Sequence, residues 1–283
     1  EAADGKAILV GDPAQLPAVG AGGLFAEIVD RVGAVELTEN RRQRDEMERA
    51  ALARLREGHG REYLRWADEA ERLVIADDAI AARSRLLADW WEHAQHDPAG
   101  NVMIAVQRRD VAALNAFGRA LRDAAGQLGM ERLVVGRQEF AVGDRLVCLR
   151  NSSAVGVQNG TRGTVALVDS MARSLEVRTE RGDTVTLDAT YLGSGFVRHA
   201  YAITGHAAQG ATFERAFVLA PQQSAAREWG YVALSRTVTA STVYSHHGPS
   251  RNDGFSQQAD PRRRLAEILS TTARDGLAID ANP

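Results

Sequence analysis

Between residues 138 and 197 four short runs follow one another with no helical period between them: R-L-V-C-L-R (145 to 150), T-V-A-L-V (164 to 168), S-L-E-V-R (174 to 178) and T-V-T-L (184 to 187). Tight turns fall at Asn159-Gly160 and Arg181-Gly182-Asp183. Strands this closely spaced pair with their neighbours, and a stretch of about 60 residues is too short for a sandwich, so it predicts a small β-barrel. The flanks read differently. Upstream, A-I-L-V (7 to 10), a helix over 23–32, A-V-E-L (34 to 37), a helix over 44–57, R-L-V-I-A (72 to 76) and N-V-M-I-A-V (101 to 106) alternate, with further helices over 61–70, 80–95 and 109–124. Downstream, A-F-V-L-A (216 to 220), a helix over 225–235 and T-V-Y-S (242 to 245) resume the pattern. Such alternation is the sign of a parallel α/β sheet, here interrupted by an inserted β module. In the helix over 44–57, Met47, Ala51 and Leu55 recur on one face and Gly58 is placed to stop it.

Composition narrows the chemistry. Of 283 residues 45% are hydrophobic and 25% charged, and no apolar run approaches the ~18 residues of a membrane span, so the chain reads as soluble and cytoplasmic. The single cysteine, Cys148, lies in an apolar run and reads as a core residue. The 34 basic residues include one lysine, Lys6, which is followed by Ala7. A phosphate loop of the form G-x-x-x-x-G-K-[ST] requires a lysine followed by a hydroxyl residue, so any phosphate contact in this chain must use arginine or backbone. The net charge of −3 neither supports nor excludes nucleic acid. The chain opens on Glu1, reaches its first methionine at Met47 and has no secretory leader, which reads as a piece of a longer chain.

Four segments carry the chemistry: I-L-V-G-D-P-A-Q-L-P (8 to 17), E-L-T-E-N-R-R-Q (36 to 43), A-I-T-G-H-A-A-Q-G-A-T-F (202 to 213) and Y-V-A-L-S-R-T (231 to 237). The first is a buried strand ending in a glycine turn, from which Asp12 and Gln15 emerge where open α/β sheets bind ligands; its bland reading is a plain turn. In the second, Arg41 and Arg42 stand either as phosphate ligands or as a solvated helix start pairing with Asp45 and Glu46. The third is a glycine-flanked helix start suited to backbone contact with an anion, or an ordinary tight connection. In the fourth, Arg236 sits at a helix–strand junction, able to serve a phosphate as a bidentate donor or to be a surface ion-pair partner.

In this order, and with a β module between the second and third, the segments resemble the third to sixth motifs of superfamily 1 DNA helicases of the RecD/TraI type, which include the helicase halves of conjugative relaxases. G-D-R-L-V-C-L-R-N with V-Q-N-G-T-R-G-T-V (143 to 151 and 157 to 165) resembles the SH3-like barrel inserted there. The resemblance runs over about residues 5 to 245 and implies an α/β fold: a RecA-like lobe of the P-loop NTPase type with an inserted SH3-like β-barrel. The implied divisions are 1–33, the end of a first lobe; 34–136, the first part of a second; 137–198, the barrel; 199–250, the rest of the second lobe; and 251–283, a linker or tail.

The resemblance also implies roles. Gln15 senses the γ-phosphate, Arg42 and Arg236 are arginine fingers, and Gly11, Asp12 and Gly210 line the nucleotide, while Pro17, Thr204, His206, Gln209 and Thr212 lie near single-stranded DNA. Of Arg41 and Arg42, the family pattern favours the one preceding Gln43. ATP and Mg2+ would be held mainly by the upstream half of the same chain, because the phosphate loop and the Asp-Glu magnesium motif precede G-D-P-A-Q in such helicases. A chain with only the arginine half is expected not to hydrolyse ATP alone; in the whole protein ATP would drive 5′ to 3′ movement along single-stranded DNA.

Other features read plainly. Asp68-Glu69-Ala70 is a helical surface. His93-x-x-His96 and His246-His247 lack a second ligand pair, so no metal site is expected. Trp90 and Trp91 read as core or lobe-interface residues, Tyr191, Phe196 and Tyr201 as the better candidates for stacking on bases, and Arg262 to Arg264 as a solvated run. The rival reading is a non-catalytic module that binds single-stranded nucleic acid or a protein, in which paired arginine fingers have no purpose. The sequence leaves open whether the whole protein is a conjugative relaxase or a RecD-like repair helicase.

Overall fold

Five strands form a parallel sheet in the order β1-β12-β11-β2-β10: β1 (Leu73–Ala76), β2 (Asn101–Ala105), β10 (Ala202–Thr204), β11 (Phe213–Leu219) and β12 (Thr237–His246). The computed structural model describes residues 8–16, 24–37, 40–221, 227–247 and 260–272. Every residue of β2 is buried, because β2 and β11 lie inside the sheet and carry side chains into a packed layer on each face. Alternate residues sort between the two layers. Val102, Ile104, Ala216, Val218 and Val243 pack under α2 (Glu46–Arg56), α3 (Gly60–Glu69) and α8 (Arg227–Leu234). Met103, Ala105, Phe217, Leu219 and Tyr244 face α4 (Ala79–Ala94) and α5 (Arg108–Ala124), where Trp90 is fully buried and donates its indole N–H to Asn101 O (3.1 Å).

Between α5 and β10 the chain forms a second sheet with its own core. The ribbon β3 (Arg132–Val135) and β4 (Gln138–Ala141) leads into β5 (Arg145–Cys148), β6 (Arg162–Asp169), β7 (Ser174–Thr179), β8 (Thr184–Leu187), the short helix α6 (Ala189–Gly193) and β9 (Val197–His199). The antiparallel order is β8-β7-β6-β5-β9, with β8 and β9 as its edges. Leu146, Cys148, Val165, Leu175, Val177 and Leu187 form its interior. All four expected runs are strands, and the ribbon and β9 are additions that their shorter apolar runs did not announce.

Four expectations are corrected. Residues 8–10 do not form a buried strand: Ile8, Leu9 and Val10 are 86%, 58% and 92% exposed, because no described strand lies beside them to pair with. The run 34–37 is likewise not a strand, and Val35 and Leu37 are exposed; it follows α1 (Leu24–Val32) without a sheet neighbour. The buried face of α2 is Glu48, Ala51, Leu52 and Leu55, with Met47 exposed, because Ala51, Leu52 and Leu55 are the residues packed into the main core. Finally, part of the expected tail is a docked helix, α9 (Pro261–Ser270), started by Asp260 and Pro261. Its Leu265, Ala266 and Leu269 are buried in the main core. A Cβ at Gly60 would lie 2.8 Å from Leu269 Cβ and 2.9 Å from Ala266 O, so only glycine lets α3 and α9 approach this closely. Arg262, read as solvated, makes two bonds to Asp68 across that contact, at 2.9 and 3.2 Å.

No helix among the described residues is long and apolar enough to cross a membrane.

Candidate functional site

Helix α8 ends one residue before Ser235-Arg236, and β12 begins at Thr237, so Arg236 sits on a short link with both neighbours fixed. Its side chain turns inward: the residue is 2% exposed, Nε donates to Val232 O (3.1 Å) and Nη2 to Ser235 Oγ (2.8 Å). The segment 40–44 is laid against this link. The Gln43 amide, also buried, donates to Ser235 O (3.1 Å) and Thr237 O (2.8 Å) and accepts from Asn40 Nδ2 (2.8 Å). Arg42 Nη1 donates to Ser235 O at 2.7 Å, and Arg44 N to Val238 O at 2.9 Å. Arg42 is half-buried in this arrangement, whereas Arg41 is exposed.

Among the described residues no carboxylate lies within ion-pair distance of Arg42 or Arg236. Burial, and then the charge of Arg42, push Arg236 down to about 10, against the opposing pull of Tyr231 and Asp12. The Arg236 guanidinium still stays charged at neutral pH, held beside Arg42 at an electrostatic cost that a bound polyanion would relieve.

Asp12 organises the turn that precedes them. Its carboxylate accepts from Ala14 N (3.0 Å) and Gln15 Nε2 (3.2 Å), and Arg56 of α2 bridges Asp12 (3.2 Å) and Glu36 (2.7 Å). Leu16 packs on the main core, so the turn is fastened to the lobe although residues 8–10 are not. The charge of Asp12 acts on Tyr231 as well, whose hydroxyl is pushed up by burial first and by Asp12 second. Gly11 is exposed, and Pro17 lies outside the described residues.

Thr204 ends β10 and caps α7 (Gly205–Ala208), its hydroxyl accepting from Ala207 N (3.2 Å). His206, Gln209, Gly210 and Thr212 are all exposed. Gly210 has φ +80°, where only glycine is comfortable, and space around it is open. The segment then closes on the arginine link, since Phe213 N donates to Arg236 O at 2.8 Å.

Two of the stacking candidates are unavailable to a base. Tyr191 is buried with its hydroxyl on Arg150 O (2.7 Å), and Tyr201 is fully buried with its hydroxyl on Asp144 (2.6 Å). Phe196 is half-buried, with the Arg150 guanidinium 5.0 Å from its ring centre. Sequence reasoning missed Asn40, Gln43 and Arg56, which hold the site together; Gln43 was visible only as the neighbour of two arginines.

A buried acid lies just behind the arginine segment. Glu48 on α2 is 1% exposed and accepts from Ser241 N (3.3 Å), while its second oxygen and the Tyr63 hydroxyl have no hydrogen-bond partner. Burial raises its carboxyl from 4.5 to about 7, opposed by Arg72 and by the Ser241 bond and aided by Asp45. The folded state thus keeps a proton that the unfolded chain releases, and the associated stability is present below pH 4.5 and lost as pH rises through 7. Glu48→Gln is expected to stabilise the protein by about 1–3 kcal/mol above pH 8 and by almost nothing near pH 4.5, read from urea midpoints at both values. Equal shifts at the two pH values would reject the titration.

Residues 1–78 match the AAA domain family AAA_30. Over 240 residues the chain is 35% identical to the conjugal transfer protein TraA of Agrobacterium fabrum (strain C58), covering 83% of this chain and 21% of that protein. The probable conjugal transfer protein TraA of Sinorhizobium fredii is 34% identical over 242 residues, with the same coverage. The chain therefore spans about a fifth of the length of these curated relatives. Among solved structures, Pif1 helicase from Bacteroides in complex with ADP-AlF3 and ssDNA aligns with TM-score 0.53 at 19% identity, over 96% of this chain and 65% of that one. Pif1 helicase from Candida albicans aligns with TM-score 0.51 at 18% identity, over 90% and 64%. These two establish the fold, a RecA-like parallel sheet with flanking helices. With its four ordered motifs the chain is similar to the TraA conjugal transfer proteins, and it shares the fold of the Pif1 helicase structures.

Proposed function

We propose that this chain is the arginine-bearing part of an ATP-dependent DNA helicase that moves 5′ to 3′ on single-stranded DNA within a conjugative transfer protein. The observation that carries the reading is the pair Arg42 and Arg236, two guanidiniums gathered on one backbone link with no carboxylate at ion-pair distance among the described residues. Such a pair suits the outer phosphates of a nucleotide, where permanently charged donors stabilise charge that builds up during phosphoryl transfer. The TraA relatives favour a conjugative protein over a RecD-like repair helicase.

In this reading ATP with Mg2+, bound chiefly by the rest of the protein, supplies the transferred phosphoryl group. Arg42 and Arg236 bring positive charge to it. Gln43 holds the carbonyls of Ser235 and Thr237, so the two arginines keep a fixed spacing. The Gln15 amide, oriented by Asp12, reports the phosphate to the lobe through Arg56 and α2. Gly210 approaches the nucleotide by backbone, and Thr204, His206, Gln209 and Thr212, together with Pro17, meet the single strand. Residues 1–33 end the first lobe, 34–136 and 199–250 form the second, and 137–198 are an SH3-like insertion. The exposed Ile8, Leu9, Val10, Val35 and Leu37 are then apolar surface open to contact with the rest of the protein.

The test is single-strand-stimulated ATP hydrolysis by this chain and by the full-length protein, side by side, with unwinding of 5′- and 3′-tailed duplexes by the latter. The expected result is a silent chain and an active full-length protein that opens only the 5′-tailed substrate. Hydrolysis by the chain alone overturns the division of labour, and silence from both moves the non-catalytic binding module to first place.

A further inference from the structure

The segment between α7 and β11 contains the exposed residues assigned above to the single strand, yet its fastening comes from the other sheet. Arg162 projects from β6 and is drawn in against the parallel lobe, its side chain only 12% exposed. Its guanidinium lies over the Phe213 ring, 5.0 Å from the ring centre, and Nη1 donates to Ala207 O at 3.5 Å. One side chain thereby touches both ends of the turn 207–213, with Gln209, Gly210 and Thr212 exposed between the two contacts. Phe213 in turn gives its amide to the carbonyl of Arg236.

Arg162 is itself held. Glu180 accepts from Arg162 Nε (3.0 Å) and, with its other oxygen, from Arg145, whose side chain is 4% exposed and also donates to Thr164 Oγ1 (3.0 Å). Buried arginines joined by one carboxylate make a rigid strut, since a planar guanidinium stacked on an aromatic ring and fixed at Nε has little rotational freedom left. Nothing in the folding of the antiparallel sheet requires that strut to end on the lobe. It ends on a segment whose Phe213 amide donates to Arg236 O.

We infer that Arg162 is a positioning residue by which the inserted sheet fixes the 207–213 turn and couples strand occupancy to the arginine pair. The inference rests on the helicase reading for its consequence, though not for the contact. Single-strand binding that presses on Gln209 or Thr212 would be felt at the Phe213 amide, and through it at Arg236, only while the turn is braced at both ends.

The experiment uses the full-length protein with Arg162→Ala, Arg162→Lys and Glu180→Gln. Hydrogen exchange without nucleotide or DNA reads the brace, oligo(dT) anisotropy reads affinity, and DNA-stimulated ATP hydrolysis reads coupling. In Arg162→Ala, amides 207–213 are expected to exchange at least about tenfold faster, with β2 and β12 unchanged. The DNA concentration for half-maximal stimulation should rise about tenfold, with unstimulated turnover preserved. Arg162→Lys, which keeps the charge over the ring but not the planar fork, should recover part of both effects, and Glu180→Gln should show a smaller version of each. Unchanged exchange at 207–213 overturns the brace, and faster exchange with unchanged half-maximal stimulation overturns the coupling. If Arg162→Ala loses the fold, Glu180→Gln alone decides by the same two readings. A wild-type protein without DNA-stimulated turnover would defeat the helicase reading, and exchange with anisotropy would still decide whether Arg162 fixes the turn for strand binding.

Discussion

Arg236→Ala in the full-length protein is expected to lower ATP turnover at saturating nucleotide and DNA by about a thousandfold or more, with single-strand affinity within about threefold of wild type. The side chain is placed by Val232 O and Ser235 Oγ and has no ion-pair partner among the described residues, so its removal strands no carboxylate among them. Arg236→Lys should fail almost as badly, because an ammonium cannot keep both of those bonds and still present a planar donor. Stability should move the other way. A buried guanidinium beside Arg42 costs the fold, so Arg236→Met is expected to raise the urea midpoint, by about 1–3 kcal/mol in free energy. Loss of activity together with gain of stability marks a site kept for function rather than for folding. Turnover that survives Arg236→Ala would reject the finger assignment, and a destabilised Arg236→Met would show that the charge has a structural partner.

The largest expected loss of stability comes from Asp144, at the foot of the inserted sheet. It is fully buried and accepts from the Tyr201 hydroxyl (2.6 Å), Ala141 N (2.8 Å) and Arg119 Nε (3.1 Å). Arg119 belongs to α5 and also reaches Glu139 of β4 (3.1 Å), so this one carboxylate ties the parallel lobe to the start of the second sheet. Asp144→Ala leaves the buried Tyr201 hydroxyl and the Ala141 amide without their acceptor and Arg119 with Glu139 alone, for a loss of about 3–5 kcal/mol. Asp144→Asn keeps an acceptor for one of them and should cost about half as much. Urea denaturation followed by far-ultraviolet circular dichroism checks both. A loss under 1 kcal/mol for the alanine variant, on the order of an exposed pair, would mean that Arg119 and Tyr201 find other partners.

Much of the fold was legible because a strand buried on both faces must be apolar throughout. N-V-M-I-A in β2 and A-F-V-L in β11 read as strands on that ground, and they pair with each other at the centre of the sheet. The helix over 79–94 was legible from its period, and Asp78 caps it with bonds to Ile80 N and Ala81 N, both 2.8 Å. The same logic misplaced residues 8–10 and 34–37, because an apolar run records the need for a partner and cannot supply one. Helix α9 was passed over for a related reason: Leu265 and Leu269 read as a weak period in an arginine-rich stretch until Gly60 and Gly230 are seen to make room for Leu269.

The site divided in the same way. The motifs placed Gln15, Arg42, Gly210 and Arg236 in order along the chain; that Arg42 donates to Ser235 O came only from the structure. Tyr191 and Tyr201 were misread because an aromatic residue carries the same letter whether its ring meets a base or its hydroxyl closes a buried hydrogen bond.

By itself the sequence determined the α/β class, the interruption by a β module, the order of the motifs and the exclusion of a lysine-based phosphate loop. These follow from local periodicity and from which functional groups exist at all. Only the tertiary structure decided that Gln43 holds the Arg236 link, that Arg42 donates to the same link, and that Arg162 spans a turn whose ends lie 45 and 51 residues further on. Those are contacts between chain segments far apart in sequence, and their existence depends on distances and burial that no local pattern encodes.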